Sequence, residues 1–220
     1  MGGDSALGVC SLNQENATLS PTDSKLQSLI AKGIVASQAG HSAAAIDAFV
    51  EACRAAPTDG LAAFLLGSEY AAAGDVERAE AALADATRLA PDLSIARYQL
   101  GLLQFSSGRA AVALLTWEPL LAAGGAEPLG HFVLGHAALA RDDFAEAREH
   151  YLRGLVSGST NAALAADIQK IVDRLPIQAD AASAGQHGHA EESLAPQLAR
   201  NPQHAEHVLL AGYQNQGRPH

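Results

Sequence analysis

The segment AFLLGSEYAAAGD at 63–75 returns as RYQLGLLQFSSGR at 97–109 and as HFVLGHAALARDD at 131–143, so a Leu-Gly pair preceded by an aromatic recurs every 34 positions. A fixed period of a few tens of residues restricts the chain to an array of like units, each burying its apolar face against its neighbours. Frames opening at Leu26, Gly60, Ser94 and Pro128 follow one another without insertion. Their eighth residues are Gly33, Gly67, Gly101 and Gly135, and their twentieth are Ala45, Ala79, Ala113 and Ala147. Small residues held in register imply two antiparallel helices per unit whose backbones approach closely at those points.

Bulk is placed as regularly. Position 24 carries Phe49, Leu83, Trp117 and Tyr151, and position 7 carries Lys32 and then Leu66, Leu100 and Leu134. Gly40, Gly74 and Gly108 stand at position 15, where the first helix of a unit must end in a left-handed residue, and Asp142 takes that place in the fourth unit. Pro57 and Pro91 close units one and two, whereas units three and four have Gly125 and Ser159 there. At the start, Ser20 as cap and Pro21 at the first helical position predict where the first helix begins. After the fourth unit, Asn161 offers a cap for a helix whose Leu164, Ile168, Ile171, Val172 and Leu175 form one stripe, stopped by Pro176. Its eighth frame position is Gln169, not Gly, so no second helix is expected to press on it.

The Leu-Gly pairs, Tyr70, Gly74, Ala79, Ala86 and Pro91 resemble the tetratricopeptide repeat, over about residues 26–161. The resemblance implies an all-α, right-handed superhelical solenoid of four helix pairs, in frames 26–59, 60–93, 94–127 and 128–161 within a region 21–161. A capping helix would follow at 162–176. In that family the first helix of each pair lines a concave face through positions 2, 5, 9 and 12. Here these positions give a peptide-binding groove of Ile30, Ile34, Phe64, Tyr98, Leu102, Phe105, Phe132 and His136, with Leu61, Ile95 and Leu129 beside them. Two readings of this apolar set stand side by side: a channel for an apolar segment of another protein, or side chains packed between neighbouring first helices. Tyr98 stands out because its hydroxyl could reach water or a partner while its ring lies on apolar surface. The Lys and Asn with which chaperone-clamping relatives hold a terminal carboxylate are replaced in unit one by Ile30 and Ile34, so that activity is not expected.

A non-catalytic adaptor or chaperone for an apolar peptide is therefore the expected function. The alternatives are a chaperone resembling the small acidic bacterial ones that hold secretion-system translocators, and an assembly or regulatory subunit acting through its convex face and tail. A net charge of −10, with 14 basic residues scattered, argues against nucleic acid and anionic membranes. No apolar run is long enough to span a bilayer, and residues 1–20, expected to be disordered, lack the apolar core of a secretion signal. Cys10 and Cys53 suit neither a disulfide framework nor a zinc site, which points to the cytoplasm, and the alanine-rich composition hints at a bacterial source. Neither a nucleophile elbow nor a phosphate-binding loop nor an HExxH is present, so no enzyme activity, cofactor or metal is expected. Residues 177–220 read as a flexible, His-containing tail with short helical stretches near 191–200 and 204–213. His204 and His207 would make half a metal site at most. Within the tail, Val208, Leu209, Leu210 and Tyr213 form an apolar patch in segment 207–213 that docks on a partner or folds back into the protein's own groove.

Overall fold

The computed structural model describes residues 20–122, 128–158 and 161–176. The expectations for the N-terminal segment, the tail helices, Gly125 and Ser159 lie outside these residues. Among the described residues there are nine α-helices and no strand: α1 (Pro21–Gln38), α2 (Ser42–Ala55), α3 (Gly60–Ala72), α4 (Val76–Leu89), α5 (Ser94–Ser106), α6 (Ala110–Ala122), α7 (Pro128–Leu139), α8 (Phe144–Val156) and α9 (Ala162–Arg174). Each packs on the next in chain order, most extensively within the pairs α1–α2, α3–α4, α5–α6 and α7–α8. The chain is an all-α solenoid.

Local chemistry sets the boundaries. Ser20 accepts from the Asp23 N–H with Pro21 opening α1, and Asp59, Asp75, Asp143 and Asn161 cap α3, α4, α8 and α9 in the same way. Between the helices of each pair the turn residue has positive φ: +72° at Gly40, +79° at Gly74, +78° at Gly108 and +57° at Asp142. Aspartate thus does adopt the left-handed turn that glycine makes in the other three units.

The small residues at position 8 act as the spacing implies. A Cβ added to Gly33 would lie closer than 3.0 Å to the Phe49 ring; at Gly101 it would strike Trp117, and at Gly135 Tyr151. At Gly67 it would meet Leu83, including its backbone nitrogen at 2.9 Å. The facing position 20 is sealed, with Ala45, Ala79, Ala113 and Ala147 fully buried. At Gly154 on α8 a Cβ would stand 2.5 Å from the Phe132 ring and 3.1 Å from the His131 Cβ. One apolar cluster runs through α1–α5 and a second through α5–α9. In α9 and its C-cap Leu175, the side chains of Leu164, Ile168, Val172 and Leu175 are buried while Gln169, Lys170, Asp173 and Arg174 face water, so the last layer presents a polar outer surface.

Candidate functional site: the first-helix face

The aromatic at position 5 decides what the inner face can do. Phe64 on α3, Tyr98 on α5 and Phe132 on α7 all turn inward, at 5%, 0% and 0% exposure. Ile30 and Ile34 on α1, Phe105 on α5 and His136 on α7 are buried with them. This corrects the open groove expected at those seven positions. The Gly/Ala contacts hold the two helices of each unit close together, and side chains three or four apart on a first helix turn into the remaining space, where Tyr98 packs on both Trp117 of its own unit and Phe132 of the next. Of the eight residues, Leu102 alone stays half-exposed. Beside it Leu61, Ile95 and Leu129 at position 2 are also half-buried, packed by one side against the core.

The second cluster centres on His136. Its ring lies 5.2 Å from Phe105, 5.2 Å from Trp117, 5.3 Å from Tyr151 and 6.1 Å from Tyr98, centroid to centroid. Its Nδ1 stands 2.7 Å from the Phe132 carbonyl, which accepts, so the proton sits on Nδ1. Burial pushes its pKa down to about 4, against a smaller upward pull from that carbonyl, leaving a neutral imidazole at pH 7. Trp117 Nε1 donates to the Tyr98 carbonyl at 2.9 Å. Among the described residues the buried Tyr98 and Tyr151 hydroxyls have no hydrogen-bond partner, and burial pushes both phenols well above their ordinary range. Tyr98 therefore presents neither ring nor hydroxyl to a partner. A neutral histidine and two protonated phenols inside a sealed aromatic cluster have no access to a substrate, so the cluster is a packing centre.

Polar side chains that the sequence did not single out connect successive layers. Ser37 on α1 donates to Glu69 on α3 at 2.6 Å, and Ser68 on α3 donates to Gln99 on α5 at 2.7 Å. Glu80 on α4 accepts from both terminal nitrogens of Arg109, at 2.9 and 2.6 Å, and from Gln104 Nε2 at 3.3 Å, while Thr116 on α6 donates to Gln104 Oε1 at 2.7 Å. Hydrogen bonding from Arg109 holds the Glu80 carboxyl below its usual range. Such contacts fix the rotation of one layer on the next with little net stabilisation at this exposure. Between α7 and α8, the His131 and His150 rings lie 5.8 Å apart with both Nδ1 atoms buried and without a partner among the described residues. Burial, then His150 and Arg153, push the His131 pKa down. Among the described residues no three potential metal ligands come together, and no helix is long and apolar enough to cross a membrane.

A stack of paired helices whose inner rings are sealed and whose accessible inner surface is a broken line of half-buried leucine and isoleucine defines an α-helical scaffold for contact with other proteins. The chain belongs to the tetratricopeptide-repeat family: the Tetratricopeptide repeat model matches residues 30–94 and 98–162, more than half of the sequence. Among solved structures, the fold is similar to that of a protein described as "Crystal structure of MamA", with a TM-score of 0.52 and 22% identity over 60% of this chain and 77% of that one. No curated protein matches the sequence. Family and fold make the chain a protein–protein interaction module.

Proposed function

We propose that the protein is a non-catalytic adaptor or chaperone that holds an apolar segment of another protein along the inner face of its first helices. Its contacts are the half-buried Leu61, Ile95, Leu102 and Leu129, and not the rings beneath them. The observation that carries this reading is their recurrence: position 2 is apolar and half-exposed in three successive units, giving a partner strand or helix a regular series of footholds. The buried aromatics behind that line keep the layers in register, so the surface is formed before the partner arrives.

The test is affinity capture from the native lysate with the wild-type protein and with Leu102→Glu, followed by titration of each captured protein in purified form. The reading expects a partner bound through an apolar segment whose affinity falls at least about tenfold in the variant, the scale of one well-placed interface side chain. A partner held equally by both proteins would refute it.

A further inference from the structure

The most anomalous surface lies on the other helix of unit three. A solvated helix normally keeps one polar face, yet α6 (AAVALLTWEPLLA) is apolar nearly all round while burying only Ala113, Trp117 and Leu120. Val112 and Leu115 are 42% and 71% exposed, and Pro119 is exposed on the same side. The same three repeat positions hold Ala44, Asp47 and Glu51 on α2, Arg78, Ala81 and Asp85 on α4, and Glu146, Glu149 and Arg153 on α8. Every other second helix carries at least two charges there, and α6 carries none. The ridge therefore presents exposed apolar side chains with no charge among them.

We propose that this ridge of Val112, Leu115 and Pro119 is a docking surface for the chain's own segment 207–213. The segment HVLLAGY is apolar in Val208, Leu209, Leu210 and the Tyr213 ring and contains no Asp, Glu, Lys or Arg, which suits the uncharged apolar ridge. The other apolar surface within the chain, the half-buried line of Leu61, Ile95, Leu102 and Leu129, is broken by its packing against the core, whereas Val112, Leu115 and Pro119 stand exposed. Reach is sufficient. Three helix-to-helix steps from α9 back to α6 amount to about 24–30 Å. The stretch 177–206, even coiled at random, has an end-to-end distance of roughly 30 Å. A tether matched to its span gives an effective concentration on the order of millimolar, which favours the chain's own segment over a free partner of equal affinity. This inference is independent of the proposed inner-face function, because it involves different helices and different residues.

The experiment is amide hydrogen exchange read by mass spectrometry on the full chain, comparing the wild type with Leu115→Glu and Leu209→Glu. Leu115 is exposed, so its substitution leaves the fold intact, which circular dichroism checks. Segment 207–213 should exchange about tenfold or more slowly than an unstructured chain in the wild type, independently of protein concentration, and should lose that protection in both variants. An unprotected segment in the wild type overturns the proposal, as does protection that survives Leu115→Glu. Protection that disappears on dilution overturns it in favour of a second copy of the chain as occupant.

Discussion

Lowering the pH should loosen the second half of the solenoid through one residue. His136 is 2% exposed and surrounded by four rings, and burial sets its pKa at about 4 against 6.5 for a free imidazole. Because the folded-state value is depressed, the unfolded chain binds the proton more readily between these limits. Stability is complete above about pH 6.5, falls as the pH drops towards 4, and loses nothing further from this group below that. The depression from 6.5 to about 4 corresponds to about 3 kcal/mol, a large part of the 5–15 kcal/mol typical of a domain. Trp117, the single tryptophan of the chain, touches the His136 ring and reports the transition. Urea unfolding followed by Trp117 fluorescence at pH 7, 5.5 and 4 should show the loss in the wild type. In His136→Leu, which keeps the apolar volume without the titrating nitrogen, the loss should shrink by about 3 kcal/mol. The depressed pKa of His131 leaves a smaller slope of the same sign in that variant. Carboxylates such as Glu80 are common to both proteins and cancel in the comparison. An unchanged slope in His136→Leu would mean that water reaches the imidazole and that the sealed cluster is wrongly drawn.

Gly101→Ala should cost about 1–3 kcal/mol by displacing Trp117 from its bond to the Tyr98 carbonyl, partly offset by about 1 kcal/mol of helix propensity; a melting temperature at or above the wild-type value would contradict the close helix approach. Gly74→Ala, at a φ of +79° with nothing within 4 Å of the added methyl, should lose about 1–2 kcal/mol from backbone strain alone, and an unchanged denaturation midpoint would refute that assignment. Replacing Phe64, Tyr98 and Phe132 together with alanine should abolish the cooperative helical melt, since each truncation removes about 3–5 kcal/mol of buried packing; a triple variant that melts like the wild type would place these rings on the surface after all.

The sequence made the periodic features legible because they follow from local geometry. Gly33, Gly67, Gly101 and Gly135 recur in step with Ala45, Ala79, Ala113 and Ala147, and only close helix pairs require that combination. Ser20, Pro21 and Asn161 mark helix starts through chemistry contained within four residues, and Asp142 could be assigned its turn by its place in the frame. The inner face was not legible to the same degree. Positions 5, 9 and 12 share one side of a helix whether that side meets a partner or the next layer, and the choice depends on how far apart the layers sit. That spacing is set by contacts between units, such as Tyr98 with Phe132 and Ser37 with Glu69, which no single repeat contains. The exposed ridge on α6 escaped for a related reason. Val112 and Leu115 look like ordinary core residues in sequence, and only the burial of Trp117 on the opposite side shows them facing outward.

The separation of roles on the first helices is tested most directly by one titration: a purified partner, first captured with the wild type, measured against wild-type protein and Ile95→Glu/Leu102→Glu. These half-exposed positions should tolerate the change with helical content preserved by circular dichroism, while binding falls by about a hundredfold, as expected for two interface anchors. Undiminished binding by a folded double variant would show that the partner does not use the inner face, and the account of this surface as the working site would be wrong.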